Sequence, residues 1–586
     1  MTTPTIELLE NRIAPAAIFV SALIGAYTDE DGDTIFVRFS KPILTAANVA
    51  TVLPTTAAGA GDHLDKIVLA GIAGAAGTDI TVTARVAGNG DGLMNIGTID
   101  ATGIDLGIVN VHGDLGNILA GNTATDTAGL KNLTVVSMGM AATYAGGSPA
   151  GSVVRGALGS LIVATDFAGA NLSVEAAAVA DARIGTVFVG GSVLTGGITL
   201  GGNIIADGNI GAIIIRGSVF GGKATSALIG SISGSIGTLS VSGSLFGGSE
   251  ASSGLISAAS IGSVKVGRNI VGGDGPQSGA ITAQTRIGSL TVGGSVYGGG
   301  GESSGRISSG GIMGNVTIGA NVQGGGGEFS GNIDSVSGMG TVTIGGSLTG
   351  GSNSSTGGIV SGGNIGAVTI GGSLSGGGSD DSIVDSGEIR SYGGSIARVI
   401  IYGNAVSAFG AFNGCIIAER NIGPVIIGGD ITSYGDAFFI IRAKGLATGN
   451  AIAALNVGGS VNSASVLAGF GTGNSPVNGN ASIGPVKVGG NWLGSSITAG
   501  VTNTNAPFFG DANDAIIAGS TLVSKIASIS IGGVVRGTVG GTDHYGFVAQ
   551  QIGSVTIAGS VIPLSAAAHT DNRSLGLDGD FRIHEV

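Results

Sequence analysis

The stretch Ile287-Gly-Ser-Leu-Thr-Val-Gly-Gly-Ser-Val-Tyr-Gly-Gly299 is the clearest copy of a phrase that recurs along most of this chain. Its first apolar residue aligns at seventeen anchors, and nine of the sixteen intervals between them are 26 residues long. A fixed period between about 20 and 50 residues is typical of a solenoid, in which each unit buries its apolar face only against its neighbours. The anchors are Leu106, Leu130, Leu158, Ile184, Ile210, Ile236, Ile261, Ile287, Met313, Met339, Ile365, Ile396, Ile422, Ile452, Ile483, Ile526 and Ile552.

Each copy of the phrase carries the alternation expected of β-strands. Leu290 and Val292 are separated by a polar residue, which is the period-two signature of a strand with one buried face. A second short strand is predicted near Val296, and a third precedes the phrase at Ile281–Ala283. Three short strands and three turns describe one coil of a parallel β-helix. We therefore predict an all-β fold, a right-handed parallel β-helix (solenoid) of about 17 rungs, with the hand taken from the preference of parallel crossovers.

The middle of the phrase predicts a stacked corner. Its eighth residue is glycine in most copies, and its ninth is Ser, Asn or Asp. Glycine tolerates a positive φ at a corner, and Ser or Asn hydrogen-bonds the local backbone there. When the coils stack, the ninth residues of successive copies should lie beside one another. We therefore predict a polar ladder formed by Ser295, Asn321, Ser347 and Ser373.

Composition excludes several classes of protein. Glycine accounts for 117 of 586 residues but proline for only 11, which excludes collagen. The apolar fraction of 43% is periodic, which excludes a disordered glycine-rich linker. The net charge is −13 and no basic stripe is visible, so we expect no nucleic-acid partner. We also expect no transmembrane segment, and no standard signal peptide is evident.

The repeat divides the chain into four predicted regions. Residues 1–17 form a tail, and residues 18–100 form a small N-terminal β module that covers the first coil. Residues 101–560 form the β-helix, with inserted loops where the intervals lengthen after Ile365. Residues 561–586 leave the repeat and form a C-terminal cap. Such covers matter because an exposed solenoid end is an unpaired strand edge that invites self-association.

An acidic loop near the start of the β module is the candidate metal site. Asp29, Asp31 and Asp33 alternate along the chain, and hard carboxylate ligands at such positions suit Ca²⁺. The spacing is not that of an EF-hand loop. Asp-Gly between two alternating strands, Ala22–Tyr27 and Thr34–Phe39, is also a strong hairpin signal. A plain turn and a calcium loop are therefore both open.

The inserted loops of the C-terminal half carry the candidate ligand-binding residues. Function in solenoids often lies on such insertions. Aromatic side chains, which offer a stacking surface to a sugar, are scarce in the regular coils but gather here. The candidate residues are Tyr434, Phe438, Trp492, Phe508, Phe509, Asp511 and Asp514.

Three further features of the sequence bear on possible chemistry. The segment 380–390 combines several acids with Arg390, but the next coils supply no obvious partners, so we predict a solvated loop rather than a catalytic pair. Cys415, the sole cysteine, is predicted to be a small core residue. The histidines lack the spacing of a zinc site, and His544 alone has an attractive neighbourhood. We predict no catalytic residue, and no cofactor with calcium as the one candidate exception.

Both ends of the chain resemble a known group of proteins. Leu9-Glu-Asn-Arg-Ile-Ala-Pro15 resembles the Leu-Glu-x-Arg-x-x-Pro tag near the start of many repeat-rich exported proteins of planctomycete-like bacteria. Ala26-Tyr-Thr-Asp-Glu-Asp-Gly-Asp-Thr34, the stretch 90–107 and His544-Tyr-Gly-Phe-Val-Ala-Gln-Gln-Ile-Gly553 are similar to a family of large, glycine-rich, uncharacterised β-strand-repeat proteins. The resemblance implies export and a cell-surface or extracellular location. It brings no established activity and no catalytic residues.

These features favour a non-enzymatic structural or adhesive protein of the cell surface or extracellular matrix. Low charge, faces of small residues and the lack of a convergent titratable cluster in the sequence support this hypothesis. The expected partners are surface or matrix components, polysaccharide among them, and further copies of the chain. Two alternatives stay open: a polysaccharide-active lyase or hydrolase that uses the loops between residues 376 and 520, and a calcium-dependent adhesin that uses the loop at Asp29–Asp33.

Overall fold

The structure is a computed structural model that describes residues 17–586 except 60, 123–127, 140–150, 197–200, 223–225, 379–380, 436, 505–507, 539–542 and 576–578. The predicted tag at Leu9–Pro15 lies outside the described residues. The chain divides into two compact units, Met1–Thr238 (unit 1) and Leu239–Val586 (unit 2). β-Strands dominate the described part of both. None of the described helices has the length and apolar character needed to cross a membrane.

Unit 1 combines an antiparallel module with parallel strands. Its helix α1 is Val49–Val52. Its strands are β1 (Ile18–Ser21), β2 (Ile24–Thr28), β3 (Thr34–Phe39), β4 (Thr55–Ala58), β5 (Gly61–Val68), β6 (Ile80–Arg85), β7 (Met94–Thr102), β8 (Leu106–Gly121), β9 (Leu130–Met138), β10 (Ser152–Arg155), β11 (Leu158–Val163), β12 (Phe167–Ala168), β13 (Asn171–Glu175), β14 (Ile184–Val189), β15 (Val193–Leu194), β16 (Asn203–Ala206), β17 (Ile210–Ile215), β18 (Val219–Phe220) and β19 (Ile229–Ser231). Strand β20 (Ser235–Val241) contains the point of division.

The predicted N-terminal module shares its sheet with the coils of unit 1. Strands β1, β2, β3 and β6 pair antiparallel in that order, and β4 pairs antiparallel with β5. Strand β5 pairs in parallel with β7, and β7 in parallel with β8. Parallel pairing therefore begins before residue 101, inside the region predicted as a separate module.

The regular elements described in unit 2 are strands, most of them short, apart from one 3₁₀ segment. They are β21 (Leu245–Phe246), β22 (Ile256–Val266), β23 (Ile270–Val271), β24 (Ile281–Val292), β25 (Val296–Tyr297), β26 (Ile307–Ser309), β27 (Ile312–Ile318), β28 (Val322–Gln323), β29 (Ile333–Ser335), β30 (Gly338–Met339), β31 (Val342–Ile344), β32 (Leu348–Thr349), β33 (Ile359–Ser361), β34 (Ile365–Ile370), β35 (Leu374–Ser375), β36 (Ile389–Ser391), β37 (Ile396–Ile401), β38 (Ala405–Ser407), β39 (Ile416–Ala418) and β40 (Ile422–Ile427). The later strands are β41 (Ile431–Ser433), β42 (Phe439–Ala443), β43 (Asn450–Val457), β44 (Val461–Asn462), β45 (Ala464–Ala468), β46 (Phe470–Gly471), β47 (Ser475–Pro476), β48 (Ser482–Val488), β49 (Trp492–Leu493), β50 (Ser496–Ala499), β51 (Val501–Asn503), β52 (Asp514–Ile516), β53 (Lys525–Ile531), β54 (Val535–Arg536), β55 (Tyr545–Ala549), β56 (Gln551–Ile552), β57 (Val555–Ile557), β58 (Ser560–Ile562), β59 (Asn572–Leu575) and β60 (Phe581–Glu585). A short 3₁₀ segment covers Thr472–Asn474.

The predicted anchors occupy equivalent positions in neighbouring parallel strands. In unit 2, Ile287 pairs with Met313, and Met313 with Met339. The register survives the longest interval, because Ile483 still pairs with Ile526 and the inserted residues form loops between strands. In unit 1 the described anchors pair in the same way. The prediction of a solenoid of repeated parallel strands is therefore confirmed within each unit.

Alternate aliphatic side chains of each coil fill the interior. In the coil that begins at Ile287, the four apolar residues of the phrase, Ile287, Leu290, Val292 and Val296, are all essentially unexposed. Each such side chain contributes on the order of 1.5–3 kcal/mol when buried. Neighbouring coils bury apolar side chains at the same four positions. The stacked rows of these side chains therefore supply most of the stability of each unit.

The predicted polar ladder is confirmed, but its hydrogen bonds run between coils. Ser295 Oγ accepts the backbone N–H of Asn321 at 3.1 Å, and Asn321 Oδ1 accepts that of Ser347 at 2.9 Å. Ser347 Oγ in turn accepts the N–H of Ser373 at 3.0 Å. The predicted bonds to the local backbone are therefore wrong at these positions. Each side chain instead satisfies a corner N–H of the next coil, where no strand partner is present to do so.

The glycine before each ladder residue is needed because there is no room for a Cβ, and it does not adopt a positive φ. Gly346 has an ordinary φ, and a Cβ there would lie 2.1 Å from Oδ1 of Asn321 in the preceding coil. Gly294 stands in the same relation to Asn269, again at 2.1 Å. The predicted reason for glycine at this corner is therefore wrong. The ladder side chain of the preceding coil occupies the place that a Cβ would need.

Left-handed backbone is concentrated in another turn, which precedes the third strand of each coil. Ser303 and Gly305 both have positive φ there, at 56° and 64°. The hydroxyl between them, on the buried Ser304, accepts the N–H of Gly299 at 2.9 Å. The sequence signal is a repeated x-(Ser/Thr/Asn)-Gly, which the sequence analysis did not use. The same turn occurs at residues 252–254, 277–279, 329–331, 355–357, 385–387 and 412–414.

The last residues contribute a strand to the stack. Strand β60 pairs in parallel with β55 and antiparallel with β59. Its side chains Phe581 and Ile583 are fully buried. The predicted cap at residues 561–586 thus ends in a strand that continues the parallel pairing of unit 2.

Candidate functional site

Two cavities, one in each unit, are lined by four of the candidate residues: Asp29 and Asp31 in one, and Phe438 and Phe509 in the other. The acidic cavity of unit 1 encloses about 320 Å³ and is defined by Tyr27, Asp29, Asp31, Asp62, Asp91 and Asp114. The phenylalanine groove of unit 2 encloses about 650 Å³ and is defined by Phe412, Phe438, Ile440, Ser465, Phe470 and Phe509. One cavity is dominated by carboxylates and the other by aromatic rings, so their ligands must differ in chemistry.

The segment Asp29–Asp33 forms a hairpin turn beside the acidic cavity. Strands β2 and β3 pair as far as Thr28 and Thr34. Asp29 Oδ1 accepts the N–H of Gly32 at 3.1 Å and of Asp33 at 2.7 Å. Gly32 has a φ of 100°, a conformation that glycine adopts without strain. The hairpin prediction is therefore confirmed, and it leaves Asp29 Oδ2 and Asp31 for other contacts.

Asp33 is fully buried and holds a second loop against the turn. Its Oδ1 accepts the N–H of Ala87 at 2.7 Å, and its Oδ2 accepts the N–H of Gly92 at 2.8 Å. A Cβ on Gly90 would lie 1.7 Å from Asp33 Oδ1, so glycine there lets the loop close around the carboxylate. Both oxygens of Asp33 thus have a structural partner already.

The carboxyl groups of Asp29 and Asp31 lie close together and shift each other's pKa in opposite directions. Burial and a side-chain hydrogen bond with Asp31 raise the pKa of Asp29 to about 7, and the same bond lowers the pKa of Asp31. Asp29 is therefore the protonated donor and Asp31 the carboxylate acceptor below neutral pH. Asp31 Oδ2 also accepts the N–H of Asp91 at 3.0 Å. A cation that binds both carboxyl groups of such a pair displaces the proton between them.

The oxygen atoms of the predicted metal ligands are close enough to meet one ion. Ligand atoms of Asp29, Asp31 and Asp33 all lie within 4.8 Å of one another. Asp62, which is 1% exposed, lines the same cavity, and its Oδ1 has no hydrogen-bond partner in the described part of the chain. Burial raises the pKa of Asp62. An oxygen-rich donor set fits a hard cation such as Ca²⁺ better than zinc.

The phenylalanine groove lies on the outer face of two strands of unit 2. On β42, Ile440 and Arg442 alternate with interior residues, and on β45 their paired positions are Ser465 and Leu467. All four side chains are buried even though they point away from the coil interior, because inserted loops cover this face. The groove runs between two apolar clusters of the outer face, one around Ile440 and one around Leu467.

The structure separates the predicted aromatic ligand-binding residues. Phe438 and Phe509 line the groove. Phe508 packs edge-on against Tyr545, with ring centroids 6.2 Å apart. Tyr434 is 61% exposed and does not line the groove. Two of these four aromatic candidates therefore meet in one cavity.

Trp492 belongs to the coil interior, which contradicts its predicted place on a ligand-binding loop. It is fully buried and pairs in register with Val461 and Val535. Its Nε1 donates to the backbone oxygen of Ser495 at 2.8 Å, and its ring lies 5.6 Å from that of Phe547. Its place in the repeated phrase is that of an interior apolar residue, so the alignment itself carried the correct signal.

Asp511 and Asp514 form a closed polar cluster instead of facing a ligand. Asn503 Nδ2 donates to Asp511 Oδ1 at 2.8 Å and to Asp514 Oδ1 at 2.7 Å. Asp514 Oδ2 lies 2.9 Å from Nδ1 of His584. His584 therefore contacts an acid in this region, although the sequence had singled out the neighbourhood of His544. The cluster braces the inserted loop against the last strand.

The acidic segment before β36 contains an ion-pair cluster of Asp385, Glu388 and Arg390, which contradicts the predicted solvated loop at these three residues, whereas Asp381 is exposed as predicted. Arg390 Nη2 lies 2.5 Å from Asp385 Oδ1, and Arg390 Nε lies 2.6 Å from Glu388 Oε2. Burial raises the pKa of Glu388 to about 8, although Arg390 opposes the shift. Cys415 is buried with its Sγ 3.8 Å from Glu388 Oε2, which confirms its predicted core placement.

The neighbouring coils supply partners that the sequence analysis missed. The ring of Phe412 lies 5.3 Å from the guanidinium carbon of Arg390 and equally far from that of Arg442. Strand register explains the arrangement, since Arg390 pairs with Ile417 and Ile417 with Arg442. An alignment of the strand before each phrase, coil by coil, would have placed both arginines in one column.

Comparison with known proteins gives no match: no family model, no curated protein and no solved structure is similar to this chain. The suspected family of exported repeat proteins therefore stays a prediction.

Proposed function

We propose that this protein is a non-enzymatic structural or adhesive β-solenoid of a bacterial cell surface or extracellular matrix. The observation that carries the proposal is the polar ladder, in which Ser295, Asn321 and Ser347 hydrogen-bond the next coil and do not converge on a common site. Polar groups used in this way stiffen a scaffold. The surface location rests on the resemblance to exported repeat proteins, and the right-handed coil of about 17 rungs is part of the same proposal.

A polysaccharide-active enzyme is the alternative that the contacts favour less. General acid–base cleavage of a glycosidic bond needs acids held at a defined separation in an open groove. Among the described residues, Asp385 is engaged by Arg390, and Asp514 by Asn503 and His584. These acids already have structural partners. Asp380, at the start of the same acidic segment, lies outside the described residues.

We expect the purified protein to bind surface polysaccharides without cleaving them. A glycan array measures binding, and assays for new reducing ends or unsaturated products measure cleavage, each with calcium and with a chelator. Binding without product supports the proposal. Product formation would overturn it and make the loops between residues 376 and 520 the first place to search for acids. Absence of both binding and self-association in light scattering would leave only a structural role.

One observation favours calcium dependence as a second candidate function: ligand atoms of Asp29, Asp31 and Asp33 lie within 4.8 Å of one another, beside a cavity that Asp62 also lines. A cation bound here would displace the proton that the raised pKa of Asp29 holds at this cluster. We therefore propose a calcium-dependent adhesive role, with binding that is tighter above about pH 7 than below it.

Without calcium, we expect the free energy of unfolding to fall as the pH rises from about 4 to about 7. The pKa of Asp29 is raised from its ordinary 3.8 to about 7 in the folded protein. The folded state therefore holds the proton more tightly than the unfolded state, and this stabilisation disappears as the pH passes through that window. Glu388 acts in the same direction up to about pH 8. Thermal melting across this pH range measures the slope.

Asp29→Asn is the matched control for this prediction. Asn keeps the acceptor oxygen for the turn and, like the protonated carboxyl, offers a donor to Asp31. The melting temperature of the variant should depend less steeply on pH than that of the wild type. The dependence that remains should come from the titration of Glu388. Calcium at about pH 8 should raise the melting temperature of the wild type and not that of the variant. Equal slopes, or equal responses to calcium, would contradict the assignment.

A further inference from the structure

The phenylalanine groove of unit 2 has the dimensions and lining of a small-molecule site. Its volume of about 650 Å³ falls within the range of such sites, which is roughly 300–1,000 Å³. Four rings, those of Phe412, Phe438, Phe470 and Phe509, form its walls. Small-molecule sites are typically apolar cavities with a few placed polar groups. Two polar groups in and behind this groove have that character.

The first polar group is a buried hydroxyl on the floor. Ser465 is 2% exposed and lines the groove, and its Oγ has no hydrogen-bond partner in the described part of the chain. Ser496, which pairs with Ser465 on the neighbouring strand β50, is equally buried, but its Oγ accepts the N–H of Gly546. An unsatisfied buried hydroxyl costs about 1–3 kcal/mol, so a ligand that bonds it binds more tightly.

The second polar group is a buried cation behind the groove wall. Arg442 is 3% exposed, and its guanidinium contacts two lining residues: it stacks 5.3 Å from the ring of Phe412 and donates from Nη1 to Asn474 Oδ1 at 2.8 Å. Its Nε has no hydrogen-bond partner among the described residues. Burial and then the nearby Arg390 lower the pKa of Arg442.

The contrast with Arg390 shows what Arg442 lacks. Both arginines lie in one column of the outer face, but Arg390 has two carboxylates, on Asp385 and Glu388, within 2.6 Å. In the described part of the chain no carboxylate lies within ion-pair distance of Arg442. Since a buried charge without a counter-charge is costly, an anion beside Arg442 would stabilise the site.

We propose that the phenylalanine groove binds a small amphiphilic carboxylate, with its apolar body between the phenylalanine rings and its carboxylate towards Arg442 and Asn474. Ser465 Oγ then hydrogen-bonds a polar atom of the ligand at the floor. This site is independent of the surface role proposed above, because it needs only the folded unit 2.

The charge at the mouth of the groove argues for one carboxylate on an apolar body and against a polyanionic chain. Asp381 is exposed and lines the groove, so it repels further negative groups that extend into solvent. Phenylalanine rings also lack the polar edge with which Tyr and Trp complement a sugar. A uronic acid polymer is therefore disfavoured on both counts.

Octanoate and octan-1-ol are the probes for this proposal, titrated calorimetrically into the full-length protein. We expect octanoate to bind at least about 10-fold more tightly than octan-1-ol, which has the same chain without the charge. Arg442→Met should remove this difference while leaving the binding of octan-1-ol unchanged. Ser465→Ala should lower the affinity for octanoate a few-fold. The matched controls are Arg420→Gln, which removes an exposed arginine outside the groove, and Ser496→Ala.

A second variant keeps the test decisive if Arg442→Met folds poorly. Ala411→Trp places a large ring at an exposed rim position and should abolish binding of both probes while leaving the melting temperature unchanged. Equal affinity for octanoate and octan-1-ol would overturn the role of Arg442. Binding of a tetragalacturonate in preference to octanoate, or no binding of either alkyl probe, would overturn the proposed ligand class.

Discussion

Replacement of Arg390 by methionine is expected to lower the free energy of unfolding by about 3–5 kcal/mol near pH 9. Arg390 is the shared cation of Asp385 and Glu388, and Glu388 is completely buried. Above its pKa of about 8, Glu388 is ionised in the wild type, so the variant must either keep a buried carboxylate without this counter-charge or take up a proton, and both lower stability. At about pH 6 Glu388 holds a proton, and the loss should be clearly smaller. Denaturant unfolding at the two pH values measures both figures.

Two controls separate this effect from loss of packing. The double variant Arg390→Met with Glu388→Gln removes both charges and should recover most of the stability lost at high pH. Arg306→Met breaks a single ion pair, with Asp334 at 2.6 Å, in which the Arg306 side chain is 30% exposed. Its cost should be about 1 kcal/mol at either pH. A loss for Arg390→Met that does not depend on pH would contradict the buried-charge account.

Replacement of Gly346 by alanine is expected to lower the free energy of unfolding by about 2–3 kcal/mol, because the new methyl group cannot coexist with the ladder. A Cβ on Gly346 would lie 2.1 Å from Asn321 Oδ1, which accepts the N–H of Ser347. Either the asparagine moves and the hydrogen bond is lost, or the two coils separate at this corner. Denaturant unfolding and hydrogen exchange at Ser347 would both report the change.

The matched control is Gly326→Ala in the same unit. Gly326 also has an ordinary φ, but the nearest atom to a Cβ there is Ser352 Oγ at 3.7 Å. Its replacement should leave stability unchanged or slightly raised. Asn321→Ala combined with Gly346→Ala should be more stable than Gly346→Ala alone, since it removes the clash. A cost for Gly346→Ala that persists in the double variant would show that the ladder is not the cause.

The candidate sites were predictable only in part. The hairpin at Asp29–Asp33 was accessible because Asp-Gly between alternating strands is a local signal. Phe438 and Phe509 were found because aromatics cluster in the inserted loops. Ser465 and Arg442 were not found, since each looks like an ordinary strand residue until the register places it on the outer face.

The sequence by itself determined the stacked parallel strands, the anchor register and the polar ladder of this protein. These features repeat along the chain, so each coil predicts the next, and a period of 26 residues needs no knowledge of distant contacts. The tertiary structure alone decided that Glu388 and Arg390 are buried, and that four phenylalanines line a groove with the buried Arg442 behind its wall. Those outcomes depend on non-repeating loops that fold over the outer face, where contacts join residues far apart in the chain and carry no period to read.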